Sequence, residues 1–123
     1  MNGTVRRQPL VAVIYSVPLL CEAIASALDE IAEVRSFPGR RGDTVGLLRS
    51  VRPDAVVVDD PIELAQVEGW AEGEDVPLVE ICRRGLKIRV LRNGEWEESP
   101  GASAQSIRNA IAGAIYAGGE VRL

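Results

Sequence analysis

The chain has 123 residues, 46% of them apolar and 26% charged, with a net charge of −4; this suits one soluble domain whose core needs no metal or disulfide. The slight acidity and an aromatic share of only 4% argue against nucleic-acid binding by bulk charge or base stacking. Histidine is absent, which excludes Ser-His and Cys-His catalysis and most zinc sites within this chain.

No apolar run approaches the roughly 20 residues that a membrane span needs. VAVIYSVPLL is short and broken by Pro18, so it reads as neither a signal peptide nor a span. A cytoplasmic protein without membrane contact is expected. Cys21 and Cys82 lie far apart in apolar segments without a CxxC spacing, and read as two reduced, buried thiols.

In chain order, Leu10–Tyr15 is a continuous apolar run, the mark of a strand covered on both faces. Pro18 opens PLLCEAIASALDEIAEV, in which Leu20, Ile24, Ala27, Leu28 and Ile31 fall at helical spacing. Residues 34–37 form a short second strand closed by the loop PGRRG. Asp43 is placed to cap a helix over TVGLLRSVR, with Leu47, Leu48 and Val51 as its apolar stripe. Pro53 ends that helix, and Ala55–Val58 is a third strand that stops at Asp59 and Asp60. This alternation predicts a doubly wound parallel sheet.

Residues 62–70 hold one short helix before the acidic loop AEGED, and 76–82 (VPLVEIC) make a fourth strand. Only RRGL separates that strand from KIRVLR, too little for a parallel crossover, so the two pair as an antiparallel hairpin. Asn93-Gly94 signals a second tight hairpin, with EWEE returning as an edge strand. A closing helix over AQSIRNAIAGAIYAGG turns Ile107, Ile111, Ala114 and Ile115 inward. Ser103 is its cap and Gly118-Gly119 its stop.

In open α/β sheets ligands bind beyond the carboxyl ends of the strands. That edge gathers Tyr15 and Ser16, Asp59 and Asp60, and Cys82 with Arg83. The two carboxylates suit a hard cation, or else they simply end a strand and cap the segment after it. GRRG at 39–42 lacks the P-loop form, so Arg40 and Arg41 read as a solvated loop. Glu80, inside the fourth strand, faces an exposed side or pairs with Arg83 or Arg89. Trp70 and Trp96 read as packing residues or lids, and Trp96 on its edge strand also suits an interface. Small residues on several faces of the closing helix, among them Ala110, Gly113 and Ala117, suit a homodimer contact.

Taken together, VIYSVPLLCEAIASAL, RPDAVVVDDP, VPLVEIC and AIAGAIYAGGEVRL resemble response-regulator receiver domains, in particular those that precede a LuxR-type helix-turn-helix. The resemblance runs through most of the chain. It implies one receiver-like domain over 1–123, ordered over about residues 8–119. The implied fold is a CheY-like or flavodoxin-like doubly wound sheet, mostly parallel, with an antiparallel hairpin replacing the fourth-helix region. It also implies two-component signalling and places Asp59 on the phosphoacceptor. The departures are specific. Tyr15 and Ser16 stand where the family has its Mg²⁺-binding acid pair, Cys82 stands at the switch Ser/Thr, and Lys87 begins its strand instead of following it. Phosphoryl transfer needs cations that neutralise the developing charge, so Asp59 becomes a degenerate phosphoacceptor position.

The expected function is therefore that of a pseudo-receiver. It would be a non-enzymatic signalling or transcription-regulatory module that works through protein contact, as a homodimer and without phosphorylation. Neither catalytic residue, metal nor cofactor is expected. The Gly-rich exit suggests a DNA-binding domain further along the natural chain, this segment itself contacting no nucleic acid. Two alternatives stand beside this reading: a small-molecule sensor whose pocket is lined by Tyr15, Ser16, Asp59, Asp60 and Cys82, or a receiver still phosphorylated on Asp59.

Overall fold

A computed structural model of the protein describes residues 8–40, 42–82, 87–100 and 103–120. The first strand, β1 (Leu10–Tyr15), is buried along its middle, as an unbroken apolar run requires. Helix α1 (Pro18–Ala27) begins on the proline, whose missing N–H is no loss at that position. It ends earlier than its periodicity suggests. Leu28 still donates its N–H to the Ile24 carbonyl, but Glu30 turns left-handed at φ 79°, and the chain re-enters as strand β2 (Glu33–Pro38). The competing interaction is the sheet, because β2 pairs parallel with β1 from Leu10 opposite Glu33 onward.

Helix α2 (Thr44–Val51) is capped by Asp43, whose carboxylate accepts the Gly46 N–H at 2.8 Å. Strand β3 (Ala55–Val58) is buried throughout. Helix α3 (Pro61–Glu74) is capped by Asp60 and runs on through most of the expected acidic loop, until Asp75 adopts a left-handed φ of 59°. Strands β4 (Leu78–Cys82), β5 (Lys87–Arg92) and β6 (Glu95–Pro100) complete the sheet. Both Asn93 and Gly94 take positive φ, the requirement of the tight hairpin turn between β5 and β6. Helix α4 (Ala104–Glu120) is capped by Ser103, whose hydroxyl accepts the Ser106 N–H at 3.1 Å. It continues through Gly118 and Gly119, which do not stop it.

The six strands form one mixed sheet in the order β2-β1-β3-β4-β5-β6. The first four pair in parallel, whereas β4 with β5 and β5 with β6 are antiparallel. This corrects the expected CheY-like or flavodoxin-like doubly wound sheet. The strand order ends in a two-hairpin antiparallel half, and there are four helices among the described residues. The physical reason is chain length. The four residues between β4 and β5 cannot make a parallel crossover, so the chain reverses twice and leaves a meander.

Two cores lie on the two faces of the sheet. One joins Val11, Val13, Val57 and Ile81 to Ile24 and Leu28 of the α1 segment and to Ile107 and Ile111 of α4. The other joins Ile14, Val56, Val58 and Leu78 to Leu48 of α2 and to Leu64, Val67 and Ala71 of α3. Trp70 and Trp96 pack at the margin of this second core. Helix α3 packs on β3 and β4, and its Glu68 reaches the Trp96 indole of β6.

Candidate functional site

The carboxyl edge of the parallel strands is where the expected site residues meet. Ile14 lies opposite Val58 in the sheet, so Asp59 stands directly beside the turn that leads from β1 into α1. Its carboxylate is only 4% exposed and closes that turn. Oδ1 accepts the Ser16 N–H at 2.8 Å and the Ser16 hydroxyl at 3.0 Å, and Oδ2 accepts the Val17 N–H at 3.2 Å. Val17 is the N-cap residue of α1 and offers no side-chain cap of its own. Asp59 therefore does for α1 what a capping side chain does, and its negative charge sits at the favourable end of the helix dipole.

Asp60 is 2% exposed and does a different task. It accepts the Ile62 N–H at 2.9 Å as the cap of α3, and the Arg40 Nε at 3.0 Å. Burial pushes its carboxyl up, but hydrogen bonds from Arg40 and the Ile62 N–H outweigh this and hold it below the usual carboxylate value. Arg40 is thus tied to a buried carboxylate and is not the purely solvated loop residue expected; Arg41 lies outside the described residues.

Glu63, at 1% exposure, completes a latch that sequence reading did not single out. It accepts the Thr44 hydroxyl at 2.7 Å and the backbone N–H of Arg40, so one buried carboxylate joins the β2–α2 loop to the first turn of α3. Gly39 belongs to this fit, because a Cβ there would lie 3.2 Å from the Glu63 Cγ. An Asp-Pro-Ile-Glu run could have flagged Glu63 as a capping-box residue. Its actual partners, Arg40 in the β2–α2 loop and Thr44 at the start of α2, lie about twenty residues earlier, which no local pattern reveals.

A third cluster lies on the open face of the meander. Glu80, 7% exposed, pairs across the strands with Arg89, whose Nε donates to its carboxylate at 2.7 Å. The Arg89 guanidinium also stacks 4.3 Å from the centre of the Trp96 ring. Trp96 in turn donates its indole N–H to Glu68 of α3 at 3.3 Å. Of the two arginines weighed as partners for Glu80, Arg89 fills the role and Arg83 lies outside the described residues. The Glu80 carboxylate holds Arg89 still more firmly charged than usual.

An open cleft of about 820 Å³ runs from Asp59 and Pro61 past Ile81 and Cys82 to Lys87 and Arg89. Burial, and then the nearby Glu80 carboxylate, push the Cys82 thiol up, so it remains protonated at neutral pH. Of the residues expected to line one pocket, Asp59 and Cys82 share the cleft, and Ser16 binds Asp59 without lining it. Tyr15 and Asp60 do not line it. Tyr15 packs against the α1/α4 core, and Asp60 is turned toward Arg40. Among the described residues no three Cys, Asp or Glu side chains cluster as a metal site would require. Comparison with protein-family models, curated proteins and solved structures yields no match to this chain.

Proposed function

We propose that the protein is a non-enzymatic, phosphorylation-independent regulatory module that works through protein contact, with a second copy of itself as the partner. The observation that carries this reading is the use of Asp59. A carboxylate 4% exposed and engaged by three donors of the β1–α1 turn serves as a structural clamp and makes a poor nucleophile. The resemblance of RPDAVVVDDP to a phosphoacceptor segment then describes a strand end kept for its architecture, with Tyr15 and Ser16 in place of the acid pair.

The contact surface best suited to such a role flanks the same clamp. Leu19 is 74% exposed and Ile62 is 52% exposed, each immediately after the proline that opens its helix. Both stand in first turns at the carboxyl edge of the sheet, α1 on one face and α3 on the other. Sedimentation velocity of the native chain and of a Leu19→Ser/Ile62→Ser variant tests this. The native chain is expected to self-associate and the variant to sediment as a folded monomer. A monomeric native chain, or a variant that still dimerises, contradicts the proposed surface.

A further inference from the structure

The cleft beside the first turn of α3 has no part in the α3 latch or in the Leu19 and Ile62 rim, and it carries fixed charges of both signs. From these we infer that it binds a small zwitterion, a compound of the amino-acid class bearing one ammonium and one carboxylate. This goes beyond the contact reading and does not depend on it.

The acidic side is Asp59. Its Oδ2 accepts a single hydrogen bond, from Val17, and among the described residues it has no cationic partner. A carboxylate has about four acceptor sites, so a ligand ammonium can be taken up without releasing the α1 turn. The other buried carboxylate of the cleft, Glu80, is already matched by Arg89.

The basic side is Lys87 with Arg89. Nε and Nη2 of Arg89 are fixed on Glu80 and its plane is stacked on Trp96, with the Cys82 thiol beside it. Such a guanidinium is ordered before the ligand arrives, which lowers the entropy cost of binding. Lys87 meets Glu98 at 3.6 Å, with both side chains about half exposed. An exposed pair of that kind is worth about 0–1 kcal/mol, so a ligand carboxylate displaces it at little expense.

A purely anionic ligand would face Asp59, Glu80 and Glu98, and a purely cationic one Lys87 and Arg89. A zwitterion meets an opposite charge at each end. Pro61 supplies apolar wall between the two, and the protonated Cys82 adds no charge. The volume lies within the roughly 300–1,000 Å³ range of small-molecule sites.

Isothermal titration of the native chain with each free L-amino acid, and with the N-acetyl and C-amide forms of any that binds, tests the assignment. At least one free amino acid should bind at a single site, and either blocked form should bind about tenfold or more weakly. Lys87→Gln should weaken binding by about tenfold, whereas Glu98→Gln, which releases Lys87, should strengthen it; neither should move the unfolding midpoint. Absence of binding by every free amino acid, full binding by a blocked form, or an unaltered affinity in Lys87→Gln overturns the inference. A chain that binds an amino acid yet never self-associates keeps this inference and loses the contact reading; one that dimerises without binding does the reverse.

Discussion

The Asp59 carboxylate reaches back across the sheet edge to Ser16, taking both its backbone N–H at 2.8 Å and its hydroxyl at 3.0 Å on one oxygen. Residues 43 positions apart are thereby joined where β1 ends and α1 begins. The apolar run Ala55–Val58 carries that carboxylate to the edge, where the turn it closes leaves Asp59 4% exposed on the wall of the cleft.

If this contact is a clamp, removing it should be felt in stability. Asp59→Ala leaves three donors without their acceptor and should destabilise the chain by about 2–4 kcal/mol, while Ser16→Ala should cost about 1 kcal/mol. Urea unfolding followed by circular dichroism measures both. An Asp59→Ala change below about 0.5 kcal/mol, the ordinary scatter of surface substitutions, would deny the clamp.

Asp60 should give the chain an acid-sensitive component of stability. Its folded-state carboxyl lies below the ordinary value of 3.8, because the Arg40 and Ile62 hydrogen bonds outweigh the upward push of burial. A depressed carboxyl contributes stability that is fully present above the unfolded value and is lost as pH falls through the folded one. The gap in unfolding free energy between the native chain and Asp60→Asn should therefore be constant above about pH 5 and shrink below about pH 4. A gap that stays level down to about pH 3, or widens, would place the carboxyl elsewhere.

The parallel half of the sheet was legible because β1 and β3 are unbroken apolar runs, the form that a strand covered on both faces takes. The hairpins were legible from spacing alone, through the four residues before Lys87 and the Asn93-Gly94 pair. The end of α1 was not. Leu28 and Ile31 keep helical spacing, and only pairing between β1 and β2 halts the helix at Ala27. The doubly wound description failed for a related reason. The short connections of the second half require a meander, which a doubly wound sheet does not contain. At the site, the meeting of Ser16 with Asp59 comes from adjacent strand ends. The latch of Glu63 on Thr44 and Arg40 depends on a tertiary approach that no periodicity encodes.

The Glu80–Arg89 pair can be tested by removing one charge and then both. Arg89→Ala strands a carboxylate that is 7% exposed, so it should cost about 3–5 kcal/mol. A Glu80→Leu/Arg89→Leu double variant removes both charges and should lie much closer to the native chain, since replacing a buried pair by apolar groups is often neutral. Guanidinium unfolding of the two proteins decides. Equal losses in single and double variants would show that Arg89 acts through its packing on Trp96 and not through Glu80.

The most direct measurement is the intact mass of the native chain after incubation with acetyl phosphate and Mg²⁺. A carboxylate held by Ser16 and Val17, with no metal-binding cluster of acidic side chains among the described residues, should gain nothing, and the mass should be unchanged. A stoichiometric phosphoryl adduct that disappears in Asp59→Asn would contradict the clamp and return Asp59 to chemistry.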